Sequence, residues 1–162
     1  MKRKTIISAL TIILTVFCAT ASDTWVVNNE GDTIWYDFNE SAKTASVTFK
    51  GEYPSLHEEY ADAISIPEEI MYNREIYRVT TIGKEAFQNC KSLTNVNIPN
   101  SVTTIGEQAF ADCDNLTSVI IPNSVTTIGK EAFKNCKSLS NVNIPNSVTT
   151  IGEQAFAYCE KL

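Results

Sequence analysis

The sequence predicts an α/β repeat solenoid: stacked 23-residue coils, each built of a short strand, turns and a single helical turn, closed at the N-terminal end by a β-hairpin cap. Three observations carry this. Residues 79–101, 102–124 and 125–147 are copies of one pattern, and 148–162 begin a fourth, with no insertion between them. A fixed period of this length marks units too small to bury their own apolar surface, which they bury by stacking. The apolar positions also recur in columns. In the first copy these are Val79, Ile82, Ala86, Phe87, Cys90, Leu93, Val96 and Ile98, each matched in the second and third. Finally, every complete copy holds a Val-x-Ile-Pro segment, whose alternation places two apolar side chains on one face of a short strand.

The elements follow in chain order. Lys2, Arg3 and Lys4 precede an uncharged, mostly apolar stretch from Thr5 to Phe17, and Ala19-Thr20-Ala21 offers small residues at a cleavage site. This is the pattern of a secretory signal peptide over 1–21. The apolar stretch is too short to span a bilayer as a helix, which needs about 20 residues. Bulky Phe17 before Cys18 argues against lipidation there. Loss of the leader removes three of the 13 basic residues and none of the 19 acidic ones, leaving ten against 19 and a net charge of −9. An acidic surface repels phosphate backbones, so nucleic acid is not expected as a partner. No other segment reads as transmembrane.

Residues 22–78 read as a β-rich cap. Trp25, Val26 and Val27 suggest a short strand before a turn at 29–32. Ile34, Tyr36 and Phe38 alternate with Trp35 and Asp37, and Ala45, Val47 and Phe49 alternate with Ser46 and Thr48. The polar run at 39–43 between them makes a hairpin. Residues 51–62 form a polar loop, and 71–79 a further hairpin turning through 72–75. Solenoid ends expose apolar core and need such a cover. A separate ligand-binding domain is the alternative for this region.

Within each repeat, Val96 and Ile98 face inward, Asn95 and Asn97 face outward, Pro99 ends the strand because it has no N–H to donate, and Asn100-Ser101 turns the corner. Gly83, Gly106, Gly129 and Gly152 call for either a positive φ or a backbone too close for a Cβ. The KEAFQN segment at 84–89 reads as one helical turn that plugs Phe87 into the core. The motif IGxxAFxxCxxLxxVxIPxSVTxIG resembles the BspA-like leucine-rich-repeat family of bacterial surface proteins. It covers 79–162, and Ile64-Ser-Ile66-Pro67 is a degenerate strand of the same kind. The resemblance implies an exported, secreted or cell-surface protein, with some relatives acting as adhesins. It implies an extracellular protein or cell-surface ligand as partner, a host matrix protein among the options.

No catalytic constellation, phosphate loop, dinucleotide fingerprint or calcium loop is present, so neither an enzyme nor a cofactor is expected. His57, the sole histidine, sits between Leu56 and Glu58 in the polar loop with no nucleophile at hand and reads as solvated. Cys90, Cys113, Cys136 and Cys159 fall one per repeat and form a row. Free core thiols suit this spacing best. Disulfides between coils would demand a torsion that parallel side chains fit poorly, and a linear row cannot close tetrahedrally on zinc.

The candidate binding surface is the outward strand face: Asn95, Ser118 and Asn141 in one row, Asn97, Ile120 and Asn143 in the next, flanked by Thr94, Thr117 and Ser140. A solvated asparagine ladder is the plain alternative. The function expected is a protein-binding or adhesion module. The alternatives are a structural spacer displaying another domain, or the non-catalytic part of a longer surface enzyme. Leu162 is the counterpart of Leu93, so the fourth coil stops before its strand. This leads to the expectation of a longer repeat protein, or of self-association through the uncapped C-terminal end. Mass spectrometry of the exported form is expected to give an N-terminus at or near Ser22; an acylated Cys18 at the N-terminus would make the protein a lipoprotein instead.

Overall fold

A computed structural model describes residues 24–28, 31, 33–49, 60 and 62–162. The leader at 1–21, Ser22 and His57 lie outside them, as does most of the loop at 51–62. The chain forms two sheets. The first runs β1 (Thr24–Val27), β2 (Thr33–Asn39), β3 (Thr44–Thr48), β6 (Glu75–Ile82), β8 (Thr104–Ile105), β10 (Thr127–Ile128) and β12 (Thr150–Ile151), with β5 (Glu69–Tyr72) paired on β6. The second runs β4 (Asp62–Ser65), β7 (Leu93–Asn97), β9 (Ser118–Ile120) and β11 (Asn141–Asn143). Pairing between coils is parallel and in register: Val96 lies against Val119 and Val119 against Val142, while Ile82 lies against Ile105 and Ile105 against Ile128.

Each coil therefore contributes two strands. The Val-x-Ile segment supplies one. The second, Thr-Ile of each VTTIG, was not anticipated, although its alternation is visible in every repeat. Between the sheets lie the apolar columns. Phe87, Phe110, Phe133 and Phe156 stack face on face, with centroids 5.1, 5.1 and 5.2 Å apart and planes within 6°. That separation suits offset ring stacking and matches the spacing of hydrogen-bonded strands, about 4.8 Å.

The expected helical turn is not formed, and the described residues contain no helix. The fold is a β-solenoid of leucine-rich-repeat type rather than α/β. A helix would spend the N–H groups of 84–89 within the segment. Here they alternate. Ala86, Gln88 and Cys90 donate to Gly83, Glu85 and Phe87 within the coil, closing successive turns. Glu85, Phe87 and Asn89 donate instead to the carbonyls of Glu107, Ala109 and Ala111 in the next coil, at 2.8–2.9 Å. Glu85 and Asn89 adopt φ of 59° and 60° to achieve this, and Gln108, Asp112, Glu131 and Asn135 repeat it. A left-handed non-glycine residue costs on the order of 1 kcal/mol, and the cross-coil hydrogen bonds offset it.

The glycine column is explained by close approach, since none of the four has a positive φ. A Cβ on Gly106 would lie 2.8 Å from the carbonyl carbon of Gly83, and one on Gly129 2.5 Å from that of Gly106. Backbones of adjacent coils touch at this corner.

The N-terminal region imitates a coil. Strand β3 runs parallel to β6 with Val47 against Ile82, and Gly83 donates to Val47 O at 2.8 Å just as Gly106 donates to Ile82 O at 2.8 Å. Strand β4 sets Ile64 against Val96, and the Ile66 N–H donates to Asn97 O. Between these strands Tyr60 stands where a repeat has its phenylalanine, its ring 4.7 Å from Phe87. Its hydroxyl accepts from the Trp35 N–H at 3.1 Å and donates to Thr48 O at 3.4 Å. The aromatic column thus runs into the hairpin layer. The second hairpin turns at Asn73 and Arg74, both left-handed (φ 48° and 65°), the geometry of a type I′ turn.

Phe110 is fully buried between Phe87 and Phe133. Replacing it with alanine is expected to cost about 3–5 kcal/mol in chemical denaturation, the range for a buried aromatic; a loss under about 1 kcal/mol would contradict this packing.

Candidate functional site: the outward strand face

The second sheet presents its outer side to solvent. In-register pairing builds two rows of side chains across four strands. One row is Ala63, Asn95, Ser118 and Asn141; the other is Ser65, Asn97, Ile120 and Asn143. The six expected residues are thus brought together, and Ala63 and Ser65 extend the surface onto β4. The signal for these two was the degenerate strand at 64–67, which the rows simply continue.

The hydroxyls at the strand entrances are not free for a ligand. Thr94 Oγ1 donates to Asp62 O at 2.9 Å, Thr117 Oγ1 to Thr94 O at 3.2 Å and Ser140 Oγ to Thr117 O at 3.4 Å. Each ties its coil to the one before. The Asn97 amide donates to Ser65 Oγ at 3.2 Å. Asn95, Asn141 and Asn143 are exposed with their amides directed away from the core. Ile120 is 76% exposed, the most exposed large apolar side chain among the described residues, and it lies between Asn97 and Asn143.

The three repeat strands of the face are electrically neutral, while Asp62 stands exposed at the start of β4. No charged residue occurs in 93–98, 116–121 or 139–144. The charges of the repeats lie on the turn side, at Lys84, Glu107, Lys130, Glu153 and their neighbours. An uncharged strip in a chain this acidic offers hydrogen bonding and apolar contact rather than long-range attraction.

The thiol row sits elsewhere, in the core. Cys90, Cys113 and Cys136 are buried and Cys159 half-buried, each a thiol and not part of a disulfide. Cys113 Sγ donates to Phe87 O at 3.0 Å, Cys136 Sγ to Phe110 O at 3.1 Å and Cys159 Sγ to Phe133 O at 3.1 Å. The Phe87, Phe110 and Phe133 carbonyls also accept the N–H of the cysteine in their own coil. The column therefore wants a small, mostly apolar side chain with one donor, which cysteine supplies. Burial pushes the Cys113, Cys136 and Cys159 thiols above their ordinary range. Among the described residues, no three His, Cys, Asp or Glu converge as metal ligands, and no helix is long and apolar enough to cross a membrane.

Stacked two-strand coils with a stapled thiol row and a flat outer strand face define a leucine-rich-repeat solenoid. The BspA type leucine rich repeat region matches residues 68–162 in six copies, and the chain belongs to that family. Among solved structures, it is similar to a leucine-rich repeat protein from Bacteroides ovatus ATCC 8483 (33% identity, TM-score 0.58, 80% of this chain and 38% of that one). A leucine-rich repeat protein from Bacteroides capillosus ATCC 29799 is 27% identical, with TM-score 0.58 over 83% of this chain and 86% of that one. The T. pallidum leucine rich repeat protein shares the fold at 24% identity and TM-score 0.59, over 80% of this chain and 66% of that one. This chain thus spans well under half of the B. ovatus protein. No curated protein matches the sequence.

The raised thiols set a test. At pH 8 a thiol reagent is expected to modify Cys159 first in the native protein, and Cys90, Cys113 and Cys136 only after denaturation; rapid native labelling of all four would contradict the burial. The sign for stability follows. A thiol whose folded value lies above its unfolded value of 9.0 stays protonated in the fold while the unfolded chain ionises, so stability holds below that pH and falls as pH rises past it.

Proposed function

We propose that this chain is an exported, cell-surface, non-catalytic binding module whose recognition surface is the outward face of strands β4, β7, β9 and β11. The observation that carries the reading is Ile120, exposed at the centre of the neutral repeat strands and flanked by the Asn97 and Asn143 amides. An exposed apolar anchor ringed by hydrogen-bonding groups is the usual anatomy of a protein-contact spot. Export rests on the leader at 1–21 and surface location on the BspA-type family. The partner class is an extracellular protein, with host matrix proteins the first to try. The uniform repeat favours a shallow surface that engages several copies of a motif over one shaped pocket. A spacer displaying another domain is the competing role.

The test is binding to a panel of purified extracellular-matrix proteins. Ile120→Ala is expected to weaken attachment about tenfold, as loss of a central contact does. Changing Asn95, Asn97, Asn141 and Asn143 together to lysine is expected to abolish it, with the circular dichroism spectrum unchanged. Because the repeat strands are uncharged, affinity is expected to vary by no more than about twofold with salt. Undiminished binding by both variants would move the site off this face, and no binding to any member of the panel would favour the spacer.

A further inference from the structure

The outer side of the first sheet carries a surface of a different kind. On its inner side, Ile34 and Tyr36 of β2 and Ala45 and Val47 of β3 are buried and close the end of the stack. Strand alternation sends the residues between them outward, and the register sets those in rows. Trp25 of β1 lies opposite Trp35 of β2, and Trp35 opposite Thr48 of β3. Two residues along β2, Asp37 lies opposite Ser46, Ser46 opposite Thr81 of β6, and Thr81 opposite Thr104 of β8. Asn39 lies opposite Thr44. An aromatic pair thus adjoins a row of one carboxylate and several hydroxyls.

The chain has two tryptophans, and both stand in this pair, with ring centroids 6.4 Å apart and planes tilted by 59°. Trp35 packs in part against the core, and both indoles keep exposed surface. Beside them Asp37, Asn39, Thr44, Ser46 and Thr81 line a shallow cavity of about 280 Å³, at the lower limit for a small-ligand cleft. Asp37 follows Trp35 by two residues on one face, so the cavity begins about 7 Å from the indole. It is the single charged residue among those lining the cavity. Arg78, opposite Thr44, is itself opposed by Glu69 across β5 and β6, so the rim adds no net charge. The hydroxyls also differ from their neighbours in the repeat. Thr103 and Thr126 donate theirs to the coil before, whereas those of Ser46, Thr81 and Thr104 are taken up by no carbonyl among the described residues.

We propose that this surface binds a neutral glycan, with one sugar ring stacked on the Trp25–Trp35 pair and the next held in the cavity by Asp37, Ser46 and Thr81. A pyranose ring has C–H faces and hydroxyl edges. Its C–H hydrogens carry partial positive charge and meet the negative face of an indole. Its hydroxyls both donate and accept, which matches a carboxylate that only accepts, the Asn39 amide, and hydroxyls that do both. An anionic sugar fits poorly, because its carboxylate would face Asp37 with no cation in the lining, in a chain whose net charge is negative. A peptide brings too few hydroxyls to satisfy this lining. The site lies on the opposite sheet from Ile120 and does not depend on the surface around it.

Because both tryptophans lie in the site, the intrinsic fluorescence of the chain reads it directly. The titrants are neutral oligosaccharides (cello-, xylo-, manno- and malto-hexaose), with oligogalacturonate and hyaluronate oligomers as the anionic arm and a proline-rich peptide as the peptide arm. At least one neutral series is expected to give a saturable change at millimolar concentration or below, and the anionic and peptide arms none. By calorimetry, Trp25→Ala and Asp37→Asn are each expected to weaken that binding about tenfold, through loss of the stacking face and of the charged acceptor. Asp37→Asn is expected to keep the circular dichroism spectrum and melting temperature, so it decides the matter even if Trp25→Ala loosens the hairpin. Ile120→Ala is expected to leave glycan affinity unchanged. The inference is overturned if no neutral oligosaccharide binds, if Asp37→Asn keeps full affinity, or if an anionic oligomer or the peptide binds as well as the best neutral one.

Discussion

Everything in this protein depends on one constraint: each coil must lie against a near-copy of itself at the distance of a backbone hydrogen bond. That distance, about 4.8 Å, acts as a filter on every position of the repeat. A phenylalanine passes, because two rings offset at 5.1 Å attract. A threonine passes, because its hydroxyl reaches back to the carbonyl of the preceding coil, as Thr103, Thr126 and Thr149 do to Thr80, Thr103 and Thr126. A cysteine passes by donating to the carbonyl beside the preceding ring. At the tightest corner only a residue without a Cβ passes. A lysine fails against a lysine, and there the sequence departs from the 23-residue period and takes up one of 46.

The same constraint decides the backbone. Gly106, Thr117 and Gly129 donate back to Ile82, Thr94 and Ile105 of the coil before; in the turns, Glu85, Phe87 and Asn89 donate forward to the coil after. The two directions lock each coil to both neighbours. Because each coil meets only its neighbours, stability is close to a sum of junction terms. The Phe110 site illustrates this: its ring is covered by two adjacent coils and by nothing further away.

The solenoid, the inward columns, the cap hairpin and the outward strand face were all legible in the sequence, because each follows from a period of two or of 23. The turn segment was not. An AF pair flanked by polar residues has the composition of a helical turn, and nothing local reveals that alternate N–H groups belong to another coil. The left-handed residues that make this possible are Glu, Gln, Asn and Asp, of which only the last two are common in that conformation. The glycine column could be read two ways from sequence, and only the distance to the neighbouring backbone selects between them. Tyr60 was hidden for a different reason. It lies outside the repeat register, so no column pointed to it, although it continues the aromatic stack into the cap.

Separation of charge from the strand face ties these points to function. The turn side carries contacts between coils, among them Lys84 with Glu107 and Lys137 with Asp114. Apart from the Asn97 amide, which donates to Ser65 Oγ, the strand side needs little from its outward residues for stacking, since the backbone ladder and the tied-back hydroxyls of Thr94, Thr117 and Ser140 already hold that sheet. Its outward rows are therefore free to vary without cost to the fold. They do vary: Asn95 and Asn97 become Ser118 and Ile120 and then Asn141 and Asn143, while the inward Val and Ile beside them stay unchanged. An outward isoleucine there contributes nothing that the solenoid requires. The proposed binding surface is placed on this side of the coil and not on the turns because an outward residue can change here without disturbing the stack.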